Sequence, residues 1–177
     1  IDDAVASLYS EPKNVVVAST KKSTTKKSTG TAVKSTGTVN TAMTISGTKV
    51  ALGISLSKPV SGIISSRFGA RSSIRSSAHT GLDIATSTGT PVAAAASGTV
   101  TFAGWKGSYG NLMVITHSNG VQTYYGHCSS ICVSVGDTVS QGDIVAKVGS
   151  TGNSTGNHLH LEIRVNGVAL NPQNYLY

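Results

Sequence analysis

The chain has 177 residues and a formal net charge of +7, with 38% hydrophobic and only 12% charged residues. Its length suits one domain of ordinary size with an appendage, and its apolar runs fall short of the roughly 18–20 residues that a membrane span needs. Frequent Gly, Ser and Thr residues disfavour long amphipathic helices and favour short strands joined by tight turns.

The positive charge is spread along the whole chain. Residues 1–50 contain seven Lys and three acidic residues (+4), and residues 51–177 contain seven Lys or Arg and four acidic residues (+3). A basic surface of this kind suits nucleic acid, anionic lipid or an anionic cell-wall polymer. Basic and aromatic residues are not interleaved as in single-strand binders, so nucleic acid is not an expected partner. Solubility alone is a sufficient explanation of the charge.

The N-terminal part of the chain is predicted to be a domain remnant followed by a linker. The chain begins with Ile1 rather than Met, as expected of a processed product or a piece of a longer protein, so it holds no information about a signal peptide. Residues 18–40 are almost entirely Lys, Ser, Thr and Gly, and no apolar surface repays the entropy of ordering them. We therefore assign residues 1–40 to the remnant and linker, and residues 41–56, where apolar residues return, to an extra strand region.

Residues 57–177 are predicted to form an antiparallel all-β domain. Turn-forming sequences rich in Gly, Asn, Asp and Ser separate its short apolar runs. The predicted strands cover residues 62–68, 81–86, 91–105, 111–117, 121–127, 143–149 and 158–165. Within the third run, residues 91–97 fit a helix as well as a strand.

Two cysteines, Cys128 and Cys132, lie four positions apart. Two thiols do not make a zinc site, and their spacing differs from that of the redox CxxC motif. A turn that brings their Cα atoms within roughly 4.4–6.8 Å would allow a disulfide. On an extended strand they would lie about 13 Å apart. A bridge and two free thiols are both open.

Two histidines stand one residue apart in the last predicted strand, HLHLEIRV. Because side chains alternate across a strand, His158, His160 and Glu162 share one face and three apolar residues share the other. At about 6.6 Å along the backbone, two imidazoles can ligate one metal, or one can ligate while the other handles protons. A solvent-facing pair is the ordinary alternative.

Further histidines lie at the ends of other predicted strands. His79 stands four residues before Asp83, and His127 ends the strand VQTYYGH. Imidazole and carboxylate groups both suit zinc. Three protein ligands with an open fourth position are typical of a catalytic rather than a structural zinc site.

The motifs HTGLD, YGH and HLH follow one another at residues 79–83, 125–127 and 158–160. In this order they resemble the signatures of the lysostaphin-type zinc metallopeptidases, the M23 peptidoglycan endopeptidases. The resemblance extends over residues 57–175. It implies an antiparallel two-layer sheet, or flattened barrel-sandwich, with an open groove for the substrate.

The resemblance also implies roles for five residues. His79, Asp83 and His160 would ligate one Zn²⁺, and His127 and His158 would be the catalytic pair. One imidazole would pass a proton from the attacking water to the leaving amine, and the other would stabilise the oxyanion. We assign the first role to His158 and the second to His127, although the sequence leaves this division open.

Several neighbouring residues are secondary candidates. Tyr109 and Asn111 match family positions near the substrate groove, with ordinary turn residues as the alternative. Glu162 could orient a ligand, but the sequence favours an exposed strand position. His117 is predicted to be solvated, and Ser154 to serve its loop.

The sequence therefore predicts a zinc endopeptidase that hydrolyses amide bonds in the stem or cross-bridge peptides of bacterial peptidoglycan. We expect it to be extracytoplasmic, either secreted or attached to the cell wall, with its lysine-rich linker held by anionic wall polymers. The motifs do not choose the bond that is cut.

Two other classes of protein share features with this sequence. The segment VSVGDTVSQGDIVAKVG also resembles biotinyl and lipoyl carriers, but Lys147 is in mid-strand and the sequence offers no acceptor lysine on a hairpin. A non-catalytic wall-binding or scaffold protein of the same fold is the main alternative, since fold does not guarantee function. Such a protein is expected to lack one or more of the metal ligands.

Overall fold

Alternating apolar and polar residues give the described part of this chain regular structure that consists mainly of short strands. The computed structural model describes residues 45–46, 49–73 and 77–177. The predicted linker at residues 18–40 and the predicted N-terminal remnant fall outside these ranges. The division of the chain at residues 40 and 56 stays a prediction.

The described residues contain twelve strands and one turn of α-helix, α1 (Gln173–Leu176). The strands are β1 (Ile45–Ser46), β2 (Ile63–Ser66), β3 (Leu82–Ala85), β4 (Pro91–Ala93), β5 (Gly98–Trp105), β6 (Asn111–Thr116), β7 (Val121–Cys128), β8 (Ser130–Ile131), β9 (Thr138–Val139), β10 (Ile144–Lys147), β11 (His158–Val165) and β12 (Val168–Leu170). Each predicted run contains or overlaps a strand, and the run at 91–105 contains two. No helix in the described ranges has the length and apolar character needed to cross a membrane.

Nine of these strands form one open sheet in the order β1-β12-β11-β7-β6-β5-β9, with β3 pairing with β11 and β2 with β3. A second sheet has the order β4-β10-β8. All strand pairs are antiparallel except β1 with β12, which is parallel. The prediction of an antiparallel all-β fold is therefore confirmed, and the sheet is open rather than closed into a barrel.

Strand β11 lies inside the large sheet and is buried on both faces. Its apolar residues Leu159, Leu161 and Ile163 belong to the hydrophobic core, together with Tyr125 of β7. Burying one such aliphatic side chain contributes roughly 1.5–3 kcal/mol, so this face holds the strand in place. The opposite face is also covered, because Glu162 is 0% exposed. The expectation that Glu162 is an exposed strand residue is wrong.

The prediction that His117 is solvated is also wrong. Its side chain is only 6% exposed, and its Nδ1 donates a hydrogen bond of 2.9 Å to the carbonyl oxygen of Ser97. Its Nε2 lies 2.8 Å from the hydroxyl of Thr123, which is hydrogen-bonded at 2.9 Å to the hydroxyl of Tyr125. His117, which directly follows β6, is therefore linked through Thr123 to Tyr125 by a buried series of hydrogen bonds.

The two cysteines are free thiols. Cys128 is buried at the end of β7, where its thiol donates to the carbonyl oxygen of Tyr125 at 3.3 Å, and burial raises the pKa of this thiol to about 12. Cys132 is exposed. The spacing left both a disulfide and two free thiols open, and the structure has two free thiols.

Burial makes the stability of the fold depend on the protonation of His117. Burial lowers the pKa of this imidazole below its ordinary value of 6.5, so the unfolded chain binds a proton that the folded chain excludes. The free energy of unfolding should therefore fall as the pH falls through about 6.5, by at most about 1.4 kcal/mol per pH unit for this one group. Chemical denaturation of the metal-free protein between pH 7.5 and 5.5 measures this slope, which His117→Gln should reduce.

Thr123→Val is the matched control for this measurement. It removes the hydroxyl partner of His117 but leaves the imidazole, so it should lower stability at every pH and keep the slope. Equal slopes in the wild type and in His117→Gln would contradict the assignment.

Candidate metal centre

The pairing of two strands brings the first two candidate ligands together. Strands β3 and β11 are antiparallel neighbours, and Asp83 lies directly opposite His160, so their side chains rise side by side from one face. His79 precedes β3, where its backbone N–H donates to Ala70 at 2.9 Å and its carbonyl accepts from Gly69 at 2.8 Å. These bonds hold the loop that carries His79 against the start of the sheet.

The predicted ligands His79, Asp83 and His160 form one buried cluster, with one donor atom from each lying within 4.8 Å of the others. Asp83 Oδ1 is 3.0 Å from His79 Nε2 and 2.8 Å from His160 Nδ1. The two ring nitrogens are 3.0 Å apart. Two imidazole nitrogens and one carboxylate oxygen are a donor set that fits zinc, with room for a fourth ligand.

The electrostatics of the cluster favour a cation. Burial raises the pKa of Asp83, but the hydrogen bonds and charges of His160 and His79 outweigh it and hold that pKa far below its usual value. Burial lowers the pKa of His160, yet its bonds to Asp83 and Glu162 raise it to about 9. Without a metal, a proton on His160 offsets the buried carboxylate of Asp83.

Partners on the far side of each ring orient the two candidate imidazole ligands. His79 Nδ1 donates to the carbonyl oxygen of Arg67 at 2.9 Å, which directs Nε2 at the cluster. His160 Nε2 donates to Glu162 Oε1 at 3.0 Å, which directs Nδ1 there. Gly81 permits this arrangement, because a Cβ at this position would lie 2.9 Å from Cε1 of His160.

His127, one of the two predicted catalytic residues, stands beside the cluster in an uncommon conformation. Its ring centroid is 4.7 Å from that of His158 and 5.7 Å from that of His160. Its φ angle is 60°, a left-handed conformation that costs a non-glycine residue roughly 1–2 kcal/mol. The carbonyl oxygen of Thr151 accepts from its Nδ1 at 2.7 Å. Burial is the main cause that lowers the pKa of His127 to about 4, and the nearby imidazoles add to it.

His158, the other predicted catalytic residue, faces the same cluster from β11. Its Nδ1 donates to the carbonyl oxygen of Gly156 at 2.8 Å. Its Nε2 is 3.7 Å from Asp83 Oδ1, and this buried atom has no hydrogen-bond partner among the described residues. A buried nitrogen without a partner is costly, so the position suits a group that binds there.

Both predicted catalytic imidazoles therefore present the same kind of atom. Because backbone carbonyls only accept, His127 and His158 each carry hydrogen on Nδ1, and in the neutral ring Nε2 is then a proton acceptor. Either residue can serve as a base in this form. Either must first gain a proton before its Nε2 can donate to an oxyanion. The division of roles that the sequence left open stays open.

A cleft of ≈ 700 Å³ lies over Asp83 and His158. Two guanidinium groups, those of Arg67 and Arg71, and several hydroxyl groups line its walls. Its polar lining and its two arginines suit a peptide that carries carboxylates.

Tyr109 and Asn111, the two predicted groove residues, occupy different surroundings. The ring of Tyr109 lies edge-on to His160 with centroids 5.6 Å apart, and its hydroxyl donates to Glu162 at 2.8 Å. Burial raises the pKa of Tyr109 to about 12, with a contribution from the Glu162 charge. Asn111 Nδ2 donates to the carbonyl oxygen of Cys128 at 3.0 Å, and Asn111 lines a separate cleft of ≈ 360 Å³. Only Tyr109 contacts the cluster, and the groove role of both stays a prediction.

Glu162 was a secondary candidate in the sequence, with an exposed position favoured, but the structure buries it behind His160 with Arg164 as a partner. Glu162 accepts hydrogen bonds from the Thr80 hydroxyl and from Arg164 Nε, in addition to those from His160 and Tyr109. Burial would raise the pKa of Glu162, but its bonds and charge interactions with His160 and Arg164 lower it to about 2. The available signal was the alternation of β11, which places Glu162 and Arg164 on the face of His160.

Comparisons with known proteins identify the family of this chain. A model of peptidase family M23 matches residues 77–172. The chain is 52% identical over 94 residues to the DD-carboxypeptidase/endopeptidase Mpg of Neisseria meningitidis serogroup B, a match covering 53% of this chain and 22% of that protein. It is 43% identical over 96 residues to the murein hydrolase activator EnvC of Escherichia coli, covering 54% of this chain and 23% of that protein. It thus spans about a fifth of the length of these relatives.

A solved structure shares the fold. The catalytic domain of the antimicrobial peptidase lysostaphin from Staphylococcus simulans superposes with a TM-score of 0.62 and is 34% identical in sequence. The match covers 64% of this chain and 91% of that domain. The predicted lysostaphin-type fold is confirmed.

The geometry predicts how zinc binding should respond to substitution. Asp83→Ala and His160→Ala each remove one of three candidate ligands. Loss of a residue that only hydrogen-bonds a metal ligand weakens metal affinity by about 10–100-fold, so loss of a ligand itself should weaken zinc affinity by more than about 100-fold. His158→Ala should bind zinc within about tenfold of the wild type, because its Nε2 lies outside the three-residue cluster. Competition with a chromophoric chelator measures these affinities, and elemental analysis measures the stoichiometry. Undiminished affinity in His160→Ala would remove that residue from the ligand set.

Proposed function

The chain belongs to peptidase family M23, and on that premise we propose that it is a zinc-dependent endopeptidase acting on peptidoglycan. Its substrates would be amide bonds in the stem or cross-bridge peptides. The observation that carries this proposal is the convergence of three candidate ligands with two further imidazoles. Two of these five residues, Asp83 and His158, line one cleft. The choice of peptidoglycan as substrate is supported by a relative named peptidoglycan DD-endopeptidase ShyC, from Vibrio cholerae, which is 41% identical over 96 residues.

His79, Asp83 and His160 would hold the zinc ion. When bound, zinc supplies a Lewis acid that polarises a carbonyl oxygen and lowers the pKa of water. The remaining steps belong to the side chains around it. The cleft would hold the peptide in place, and the buried setting of the cluster strengthens every charge interaction within it.

The two neighbouring imidazoles would move the proton. The carbonyl oxygens of Thr151 and Gly156 fix hydrogen on Nδ1 of His127 and His158, so each ring offers Nε2 to the reacting groups. Nε2 of His158 lies 3.7 Å from Asp83 Oδ1 and has no hydrogen-bond partner among the described residues. It would take a proton from the attacking water and return it to the amine that leaves. His127 would take a proton from solvent onto Nε2, donate from it to the developing oxyanion, and keep that proton when the oxyanion collapses.

A non-catalytic role is the second candidate, because one relative is named a murein hydrolase activator. An activator needs a surface for a partner and has no need of a metal or a proton acceptor. All five metal-site and catalytic positions hold a residue that can do the chemistry, which favours the enzyme.

We also propose an extracytoplasmic location, either secreted or wall-associated. A substrate in the bacterial wall requires this location. The seven lysines among residues 1–50 would add electrostatic attraction to anionic wall polymers.

Digestion of cross-linked peptidoglycan by the zinc-loaded protein tests the enzymatic proposal. Mass spectrometry should find new fragments whose masses identify the bond, and His160→Ala should produce none. His158→Ala should keep its zinc and lose about 10²–10⁴-fold in kcat, as expected for loss of a general base. Absence of fragments from several wall types, despite one bound zinc per chain, would favour the activator. Near-normal turnover in His158→Ala would exclude that residue from the mechanism.

The proposed wall attraction predicts salt-dependent binding. The Debye length falls below roughly 5 Å at a few hundred millimolar salt, so the fraction of protein that pellets with wall fragments should drop several-fold as salt rises from about 0.05 to 0.5 M. Wall stripped of its anionic polymers is the control and should bind weakly at every salt concentration. Binding that does not change with salt would reject an electrostatic attachment.

A further inference from the structure

A buried carboxylate stands directly behind one candidate zinc ligand. Glu162 lies two residues after His160 on the same face of β11 and is 0% exposed. Removing a charged carboxylate from water is costly unless partners compensate. Keeping a charge at this position therefore lowers the stability of the fold unless its partners compensate for it.

The two oxygens of Glu162 have different partners. Oε2 accepts from Arg164 Nε at 2.6 Å. Oε1 accepts from His160 Nε2 at 3.0 Å, from the Tyr109 hydroxyl at 2.8 Å and from the Thr80 hydroxyl. One oxygen is thus bound to a permanent cation, and the other faces the imidazole.

Arg164 is itself held in place. Its Nη2 donates to the Tyr109 hydroxyl at 3.2 Å, and its Cζ lies 4.6 Å from the centre of the Tyr124 ring. A guanidinium group bound on two sides orients the carboxylate of Glu162 as well as balancing its charge.

These contacts determine which nitrogen of His160 faces the metal site. An ionised carboxylate oxygen only accepts, so Nε2 donates to Glu162. Nδ1 is left facing Asp83, where it carries the proton that offsets this carboxylate without a metal and offers a lone pair once that proton leaves. Nδ1 is the atom that lies 2.8 Å from Asp83 Oδ1 and 3.0 Å from His79 Nε2. If the ring turned over or changed its tautomer, this lone pair would no longer point into the cluster.

We propose that Glu162 is a positioning residue for His160: its Oε1 holds the ring with hydrogen on Nε2 and Nδ1 aimed at the metal site, and Arg164 holds Glu162. This inference rests on the proposed function, because it takes His160 as a ligand. It assigns no role in the reaction itself to Glu162 or Arg164.

Zinc affinity in paired variants tests the proposal. Glu162→Leu combined with Arg164→Met removes both buried charges together and leaves side chains of similar volume, a change that is often neutral for folding. This double variant should bind zinc about 10–100-fold more weakly than the wild type. Arg164→Met alone keeps the carboxylate that accepts from His160 but removes the group that holds it, so it should weaken zinc binding less than the double variant does. Chelator competition gives the affinities, and thermal unfolding of each metal-free protein shows that it is folded.

The nitrogen that binds the metal is a second readout, which a merely structural role would not change. In the zinc-loaded wild type and in Arg164→Met, ¹⁵N chemical shifts should identify Nδ1 of His160 as the coordinated atom. In the double variant this signal should be lost or divided between the two ring nitrogens.

The outcomes separate this inference from the proposed function. A folded double variant with wild-type zinc affinity and intact Nδ1 coordination would overturn the role of Glu162 and leave the peptidase proposal standing. A wild-type protein that binds no zinc would instead remove the proposed function, and this inference with it.

Discussion

The antiparallel register of β3 and β11 is the constraint on which the candidate site depends. It places Asp83 opposite His160, and the alternation along β11 then adds His158 on one side and Glu162 on the other. A shift of one residue would turn these side chains toward the core. The apolar residues of β11 prevent that shift, because they would have to leave the interior. Packing of the apolar face of β11 therefore fixes the positions of the candidate site residues on its other face.

Two buried carboxylates, those of Asp83 and Glu162, interact with opposite nitrogens of His160. Asp83 lies on the side of the cleft, among the imidazoles, and needs a cation or a proton there. Glu162 lies behind the ring, where burial would raise its pKa but His160 and then Arg164 hold it low, and the Arg164 cation stays beside it on the side away from the cleft. The imidazole between them touches both. The site can therefore gain or lose a cation on its open side while the Arg164 cation stays beside Glu162.

Much of this arrangement could be predicted from the sequence. The spacing of apolar residues predicted the long strands, and the ordered motifs predicted which five residues converge. Periodicity placed Glu162 on the face of His160 but did not predict its burial, because alternation identifies a face of a strand but not what covers it. The same limit explains His117, whose partners Ser97 and Thr123 lie outside β6, the strand that it follows. Strands of two or three residues, such as β8 and β9, are too short for any pattern, since long-range pairing alone defines them.

The left-handed backbone of His127 has a consequence for how this protein can change. Glycine or asparagine would relax that conformation, yet neither brings the imidazole that the proposed function requires. Stability and chemistry are therefore opposed at this single position. Selection of variants for heat resistance alone would be drawn toward replacing His127, and it would produce a sturdier fold with an impaired site. At His127 a gain in stability would therefore come with a loss of the proposed activity.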